Sequence, residues 1–292
     1  MGNIHLNYRG ATAEVQLRGA QLASYRTPEG REVIWQGDAW PEHSPVLFPV
    51  CGTVKDGVIR IAGKPYPLTK HGFTRNPDFR PEKVGEDFAE LVLGPTEESK
   101  PMYPFDFALH VTHTLIDNGF TTTLTVENKS DAVMPFCVGG HPGFVCPMEP
   151  GAKFEDYQLI FPCPEDGVNS LAPGGGCITE TEILPELRDK GAVSLNHAIF
   201  DQRDALVLTT LKSRSVKLVH RDTGKGIRFD FPKMEVLAVW TKPGAGADYL
   251  CLEPWHGMPD TADATGNFED KPFVTLLAPG QSWQGSFTAT LI

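Results

Sequence analysis

The chain has 292 residues, 40% of them hydrophobic and 22% charged, with 26 Lys and Arg against 37 Asp and Glu for a formal charge of −11. This composition excludes a disordered chain, and the acidic balance without a basic run leaves no footprint for nucleic acid or an anionic membrane. No apolar run approaches the roughly 18 residues of a membrane span, and Met1 to Gly10 holds no signal-peptide core, so the expectation is a cytoplasmic protein with a small neutral ligand or an anion held by a local cation.

In chain order, short period-two runs dominate. Thr12 to Arg18 places Ala13, Val15 and Leu17 on one face. Further runs follow at Val58–Ala62 and Ala89–Leu93. From Phe107, the residues Leu109, Val111, His113 and Leu115 share a face, and Phe120, Thr122, Leu124 and Val126 repeat the pattern after Asp117-Asn118-Gly119. Two alternating runs joined at Asn-Gly predict a hairpin. Glu149 to Gly176 is rich in Pro and Gly but contains Tyr157, Leu159, Ile160 and Phe161, so it reads as strand and loop within one domain. One short helix is predicted within Glu182–Lys190, ended by Gly191. Ala205–Thr209, Val216–Val219, Ile227–Phe231, Val236–Trp240, Tyr249–Leu252 and Ser286–Leu291 alternate again. Many strands without alternating helices predict an all-β sandwich or barrel spanning residues 1–292 as a single domain.

The six cysteines, Cys51, Cys137, Cys146, Cys163, Cys177 and Cys251, form no CxxC pair. They read as buried or inert thiols in a reducing compartment rather than as a zinc site or a disulfide framework. His110 and His113 would point to opposite faces of a strand, which argues against chelation. No GxSxG elbow, phosphate loop or HExxH helix occurs, and Gly174-Gly175-Gly176 reads as a turn.

Three strings carry chemistry. Lys70-His71-Gly72-Phe73-Thr74-Arg75 follows a Pro-rich stretch and reads as a loop on which backbone and side chains can approach a ligand. Gly139-Gly140-His141-Pro142-Gly143-Phe144 holds an imidazole on a tightly folded backbone, and His titrates near neutrality. Leu250-Cys251-Leu252-Glu253-Pro254-Trp255 delivers a carboxylate from an apolar strand beside an aromatic ring, as sugar sites do. A loop His, a turn His and a strand-end Glu supply acid and base without nucleophile or metal.

These strings, in this order, resemble the aldose 1-epimerase (galactose mutarotase-like) superfamily, and most closely its bacterial LacX-like branch. The likeness also takes in Pro45-Val46-Leu47-Phe48-Pro49, Lys55-Asp56-Gly57, Trp240-Thr241-Lys242-Pro243, His256-Gly257 and Leu277-Ala278-Pro279-Gly280-Gln281-Ser282. It implies a large antiparallel β-sandwich, the supersandwich, with an open sugar cleft. It implies an isomerase that opens and recloses an aldose ring without cofactor or metal, on a small sugar that is free or phosphorylated. Glu253 would match the family's general base and His141 its general acid. His71 would help hold the sugar, Arg75 would contact the sugar or its phosphate, and Trp240 and Trp255 would be cleft walls by position. The chain departs from the pattern at Thr53, where many relatives carry Arg. Neither Asp201 nor Asp204 aligns firmly with the family's sugar-binding Asp.

Three other readings compete. A glycosidase needs a second carboxylate about 5–9.5 Å from the first, for which Glu235, Asp248 and Asp260 are candidates. A non-catalytic carbohydrate-binding protein would keep the cleft and lose the chemistry. A hexose-6-phosphate epimerase needs an anion pocket, with Arg75 and Lys70 as its cations.

Overall fold

Alternation becomes strand almost wherever it occurs, because a pleated backbone sends successive side chains to opposite faces; strands such as Phe107–Ile116 bury one face, while Tyr249–His256 is buried on both. The computed structural model of the protein describes residues 2–292. The Phe107–Ile116 and Gly119–Asn128 strands run antiparallel for ten residues each, and every second residue of the first is buried. His113 lies on the buried side, bonded at both ring nitrogens, while His110 faces outward between Glu82 and Glu90.

The hairpin is one residue off the predicted Asn-Gly turn. Ile116 pairs with Gly119, so Asp117 and Asn118 make the turn, with Asn118 at φ +58°. Gly119 belongs to the strand, because a Cβ there would collide with the carbonyl of Ala289 on the neighbouring Ser282–Leu291 strand. The helix starts at Pro185, later than the sequence suggests, since Glu180–Ile183 pairs as a strand with Val168–Leu171. It ends at Gly191, which has φ +66°. A second helix, His197–Arg203, is capped by the Asn196 side chain on the Ile199 N–H and is too short to show helical periodicity.

Two large antiparallel sheets face each other. The nine-stranded one has Ser282–Leu291, Gly119–Asn128 and Phe107–Ile116 near its middle. The other runs Ala205–Leu208, Val236–Trp240, Tyr249–His256, Val138–Gly140, Val46–Leu47, with Gly143–Val145 also paired to Tyr249–His256. Between them Phe144 packs near Phe120 and Phe229, and Phe229 near Phe287. Ring pairs of this kind add to the area they bury. Of the sandwich or barrel that the alternation allows, the fold is the antiparallel β-sandwich that the resemblance implies. Cys51, Cys137, Cys146 and Cys251 are buried, Cys177 partly so and Cys163 exposed, and all six are free thiols. No helix among the described residues is long and apolar enough to cross a membrane.

Candidate functional site

A cleft of about 270 Å³ lies on the face of the smaller sheet that points away from the core. Register explains what stands there. Gly139 pairs with Trp255 and Gly143 with Cys251, so the turn residue His141 falls opposite Glu253 on the same face. Nε2 of His141 lies 3.0 Å from Oε2 of Glu253. The approach is close but misdirected for a hydrogen bond: Oε2 makes none, and neither does the buried Nδ1 of His141. The two glycines have steric reasons. A Cβ at Gly139 would stand 2.7 Å from Cδ1 of Trp255, and one at Gly143 would stand 2.8 Å from Cζ3 of Trp40. Ala238, opposite Glu253 on the other flank, keeps the floor open.

His71 enters from the loop beside this floor. The chain there is left-handed at two successive residues, His71 at φ +66° and Gly72 at φ +74°. Only glycine fits the second position, because a Cβ would collide with the carbonyl of Phe48. The His71 N–H donates to the Gly52 carbonyl at 2.9 Å, and the Gly52 N–H donates to Nδ1 of His71 at 3.0 Å. With Nδ1 accepting, the ring hydrogen of neutral His71 resides on Nε2. His71 is thus built as a fixed donor. Its ring meets those of His141 and Trp255 edgewise, each at 5.7 Å.

The rim is charged. Lys70, Arg75 and Asp204 line the cleft together with the turn Gly174–Gly176, and Arg75 Nη2 donates to the Lys70 carbonyl at 3.4 Å. Asp204 caps the His197–Arg203 helix in a strained conformation, φ +67°. The Gly174–Gly176 turn that the sequence suggests is present but also forms a wall, and Thr53 Oγ1 donates to the Gly175 carbonyl at 2.6 Å. Thr53 therefore ties down a wall of the cleft.

Burial dominates the electrostatics. It pushes His141 down to about 3, helped by the positive charges of Lys70 and Arg75. It pushes Glu253 well above the usual carboxylate range, against the attraction of Lys70. His71 is held well below the usual imidazole range by burial and by the neighbouring His141, Lys70 and Arg75. Each group thus resists carrying charge alone.

All six residues singled out from the sequence, Glu253, His141, His71, Arg75, Trp240 and Trp255, line this one cleft. Trp40 was missed. It sits in an aperiodic loop, and only its packing shows its place: it stacks on His141 with centroids 4.9 Å apart. Of the two Asp candidates, Asp204 reaches the cleft, while Asp201 is exposed and accepts from the Gly244 N–H at 2.7 Å. Glu235 pairs with His256 at 2.7 Å and Asp260 with buried Lys271, and neither they nor Asp248 lines the cleft. Donor atoms of His141, Cys251 and Glu253 lie within 4.8 Å of one another. Burial pushes the Cys251 thiol well up.

The family model described as Aldose 1-epimerase matches residues 3–290. The chain is 32% identical to the chromosomal protein LacX of Lactococcus lactis subsp. lactis over 298 residues, covering 99% of each. It superposes on a galactose mutarotase related enzyme from Lactobacillus acidophilus with TM-score 0.91 and 28% identity, over 100% of this chain and 97% of that one. A galactose mutarotase-like protein from Lactobacillus casei gives TM-score 0.91 and 26% identity over 100% of both chains.

Proposed function

This chain belongs to the aldose 1-epimerase family, and from that premise we propose that it interconverts the α and β anomers of a sugar by acid–base ring opening and closure. The observation that carries the reading is the 3.0 Å separation of His141 Nε2 and Glu253 Oε2 over an open cleft. The hydroxyl oxygen O1 and the ring oxygen O5 of a cyclic aldose share one carbon, C1. A base and an acid that must act on two oxygens of one carbon have to stand close together, as these do.

Glu253 as carboxylate takes the O1 proton while His141 as imidazolium gives one to O5. The C1–O5 bond breaks and C1=O1 forms. Rotation about C1–C2 turns the other face of the aldehyde toward O5, and closure runs with the roles reversed. Each proton transfer contributes about 10²–10⁴-fold. Burial disfavours the charged pair, but the sugar offsets this: O1–H donates to the carboxylate and O5 accepts from the imidazolium, so both charges gain partners. His71 Nε2–H is a donor for a sugar oxygen, and Trp240 and Trp255 offer apolar walls to the ring.

One core cluster runs from Leu6 to Ala289, which supports a single domain over residues 1–292. The glycosidase reading loses ground, since Glu235, Asp248 and Asp260 all lie away from the cleft. A phosphorylated sugar is the variant reading favoured by Lys70 and Arg75, neither of which has a carboxylate within 4.0 Å among the described residues.

The test is NMR exchange between the anomers of glucose, galactose and their 6-phosphates, with wild type and Glu253→Gln. Acceleration that collapses in the variant supports the epimerase, and the ranking of the four sugars separates free from phosphorylated substrate. Binding without acceleration of any sugar favours a carbohydrate-binding protein. Equal acceleration by both proteins removes Glu253 as the base.

A further inference from the structure

A histidine that moves protons is usually oriented through its second ring nitrogen, which bonds a carboxylate or a carbonyl. Of the four buried histidines, three gain a hydrogen bond at a ring nitrogen. His71 accepts from Gly52 N–H, His113 is bonded to Thr122 and to the Ala20 carbonyl, and His256 is bonded to Glu235 and Thr275. His141 does not, for its Nδ1 is buried without a partner and its Nε2 faces Glu253. Its ring plane must be set by packing.

The packing is specific. Trp40 stacks on the His141 ring at 4.9 Å and 28°, while Trp240 and His71 meet it edgewise at 80° and 79°. Trp40 is itself braced. It lies parallel to Tyr249, at 5.8 Å and 7°, and Tyr249 stacks on Trp35 at 4.6 Å and 27°. Trp35 Nε1 donates to the Trp40 carbonyl at 2.9 Å. On either side of Trp40, Trp35 N–H donates to the Gly143 carbonyl, Gly143 N–H to the His43 carbonyl and His141 N–H to the Pro45 carbonyl, at 2.8–3.0 Å. Trp35, Trp40, Trp240 and Tyr249 form a cluster separate from the main core, so its packing serves this corner.

We propose that Trp40 is a positioning residue for His141: its indole face, backed by Tyr249 and Trp35, holds the imidazole edge toward Glu253 in place of the missing hydrogen bond at Nδ1. This rests on the epimerase reading only for its kinetic consequence. A misplacement of about 1 Å can cost about 10²-fold in rate, so a slack imidazole lowers kcat while sugar contacts elsewhere keep KM.

The experiment compares Trp40→Leu and Trp40→Met, which lose the ring, with Trp40→Phe, which keeps one. Folding is checked by thermal melting. The ringless variants should lose about 10- to 100-fold in kcat with KM within about threefold, and Trp40→Phe should return to within about threefold of wild type. Independently of catalysis, the ring-nitrogen NMR signals of His141, assigned with His141→Asn, should be single in wild type and Trp40→Phe and broadened or doubled in the ringless variants. Unchanged kcat, a loss confined to KM (Trp40 then being a wall for sugar) or unchanged His141 signals overturns the proposal. If wild type anomerises no sugar, the functional reading fails and the His141 signals alone decide the role of Trp40. If neither ringless variant folds, wild type must still show NOE contacts between the His141 ring and the Trp40 indole without sugar, and their absence overturns the proposal.

Discussion

Nε2 of His141 and Oε2 of Glu253 stand 3.0 Å apart, and burial acts on both groups in the same sense, against charge. Between about 3, where His141 titrates, and the raised value of Glu253, the pair holds one proton. In the resting pair burial keeps it on Glu253, with both groups neutral, and its passage to His141 gives the ion pair from which the proposed reaction starts. The rate should therefore show no inflection near 6.5, where an ordinary imidazole titrates, and should fall on the alkaline side when the pair loses its last proton. Polarimetry across pH, corrected for the uncatalysed rate, checks this; an inflection near 6.5 would contradict it.

Glu253→Gln and His141→Asn should each lower the anomerisation rate by about 10²–10⁴-fold while sugar binding persists. Glu253→Gln should also stabilise the fold. A carboxyl whose folded pKa is raised adds stability below its unfolded value and loses it as pH rises. The Gln variant should thus melt higher than wild type at neutral and alkaline pH and equally in acid, as calorimetry would show.

Acid should weaken the fold early. Burial pushes His113 down to about 4 and His141 down to about 3 from 6.5. Both folded values are depressed, so the unfolded chain takes up protons first and stability is lost as pH falls from about 6.5 through the folded values. For His113 the loss is on the order of 3 kcal/mol. The His113→Gln variant should have a flatter melting temperature between pH 6.5 and about 4, and an unchanged slope would refute the assignment.

Gly72→Ala should cost more than Gly30→Ala. Both residues have positive φ, +74° and +82°, so both variants carry strain of about 1 kcal/mol. Only at Gly72 does a Cβ meet backbone, the Phe48 carbonyl, whereas the space at Gly30 is open. Chemical denaturation should rank them so, and only Gly72→Ala should lose activity, through displacement of His71.

Thr53→Val removes the hydrogen bond to the Gly175 carbonyl and loosens one wall of the cleft. A bond of this kind is worth about 1 kcal/mol, or about fivefold in binding. KM should rise by about that factor with kcat unchanged, and a fall in kcat alone would place Thr53 in the chemistry instead.

Much of the sandwich was legible in the sequence. Period-two alternation follows from the pleat and from one-sided burial, both local properties, so runs such as Phe107–Ile116 and Ser286–Leu291 identify themselves. The turn at Asp117–Asn118 was misread by one residue, because the need for Gly119 comes from Ala289 on another strand, which no local pattern contains.

What the sequence by itself determined was the set of strands, their inward faces, and the residue types that a proton-moving sugar site would use: His71, His141, Glu253 and their aromatic and cationic neighbours. Only the tertiary structure decided that His141 falls opposite Glu253, that Trp40 covers it, that Asp204 rather than Asp201 reaches the cleft, and that burial reverses the ordinary charge preference of the pair. Alternation is set by the geometry of one strand. Register, stacking and desolvation arise from contacts between segments far apart in the chain, and these exist only once the core has closed.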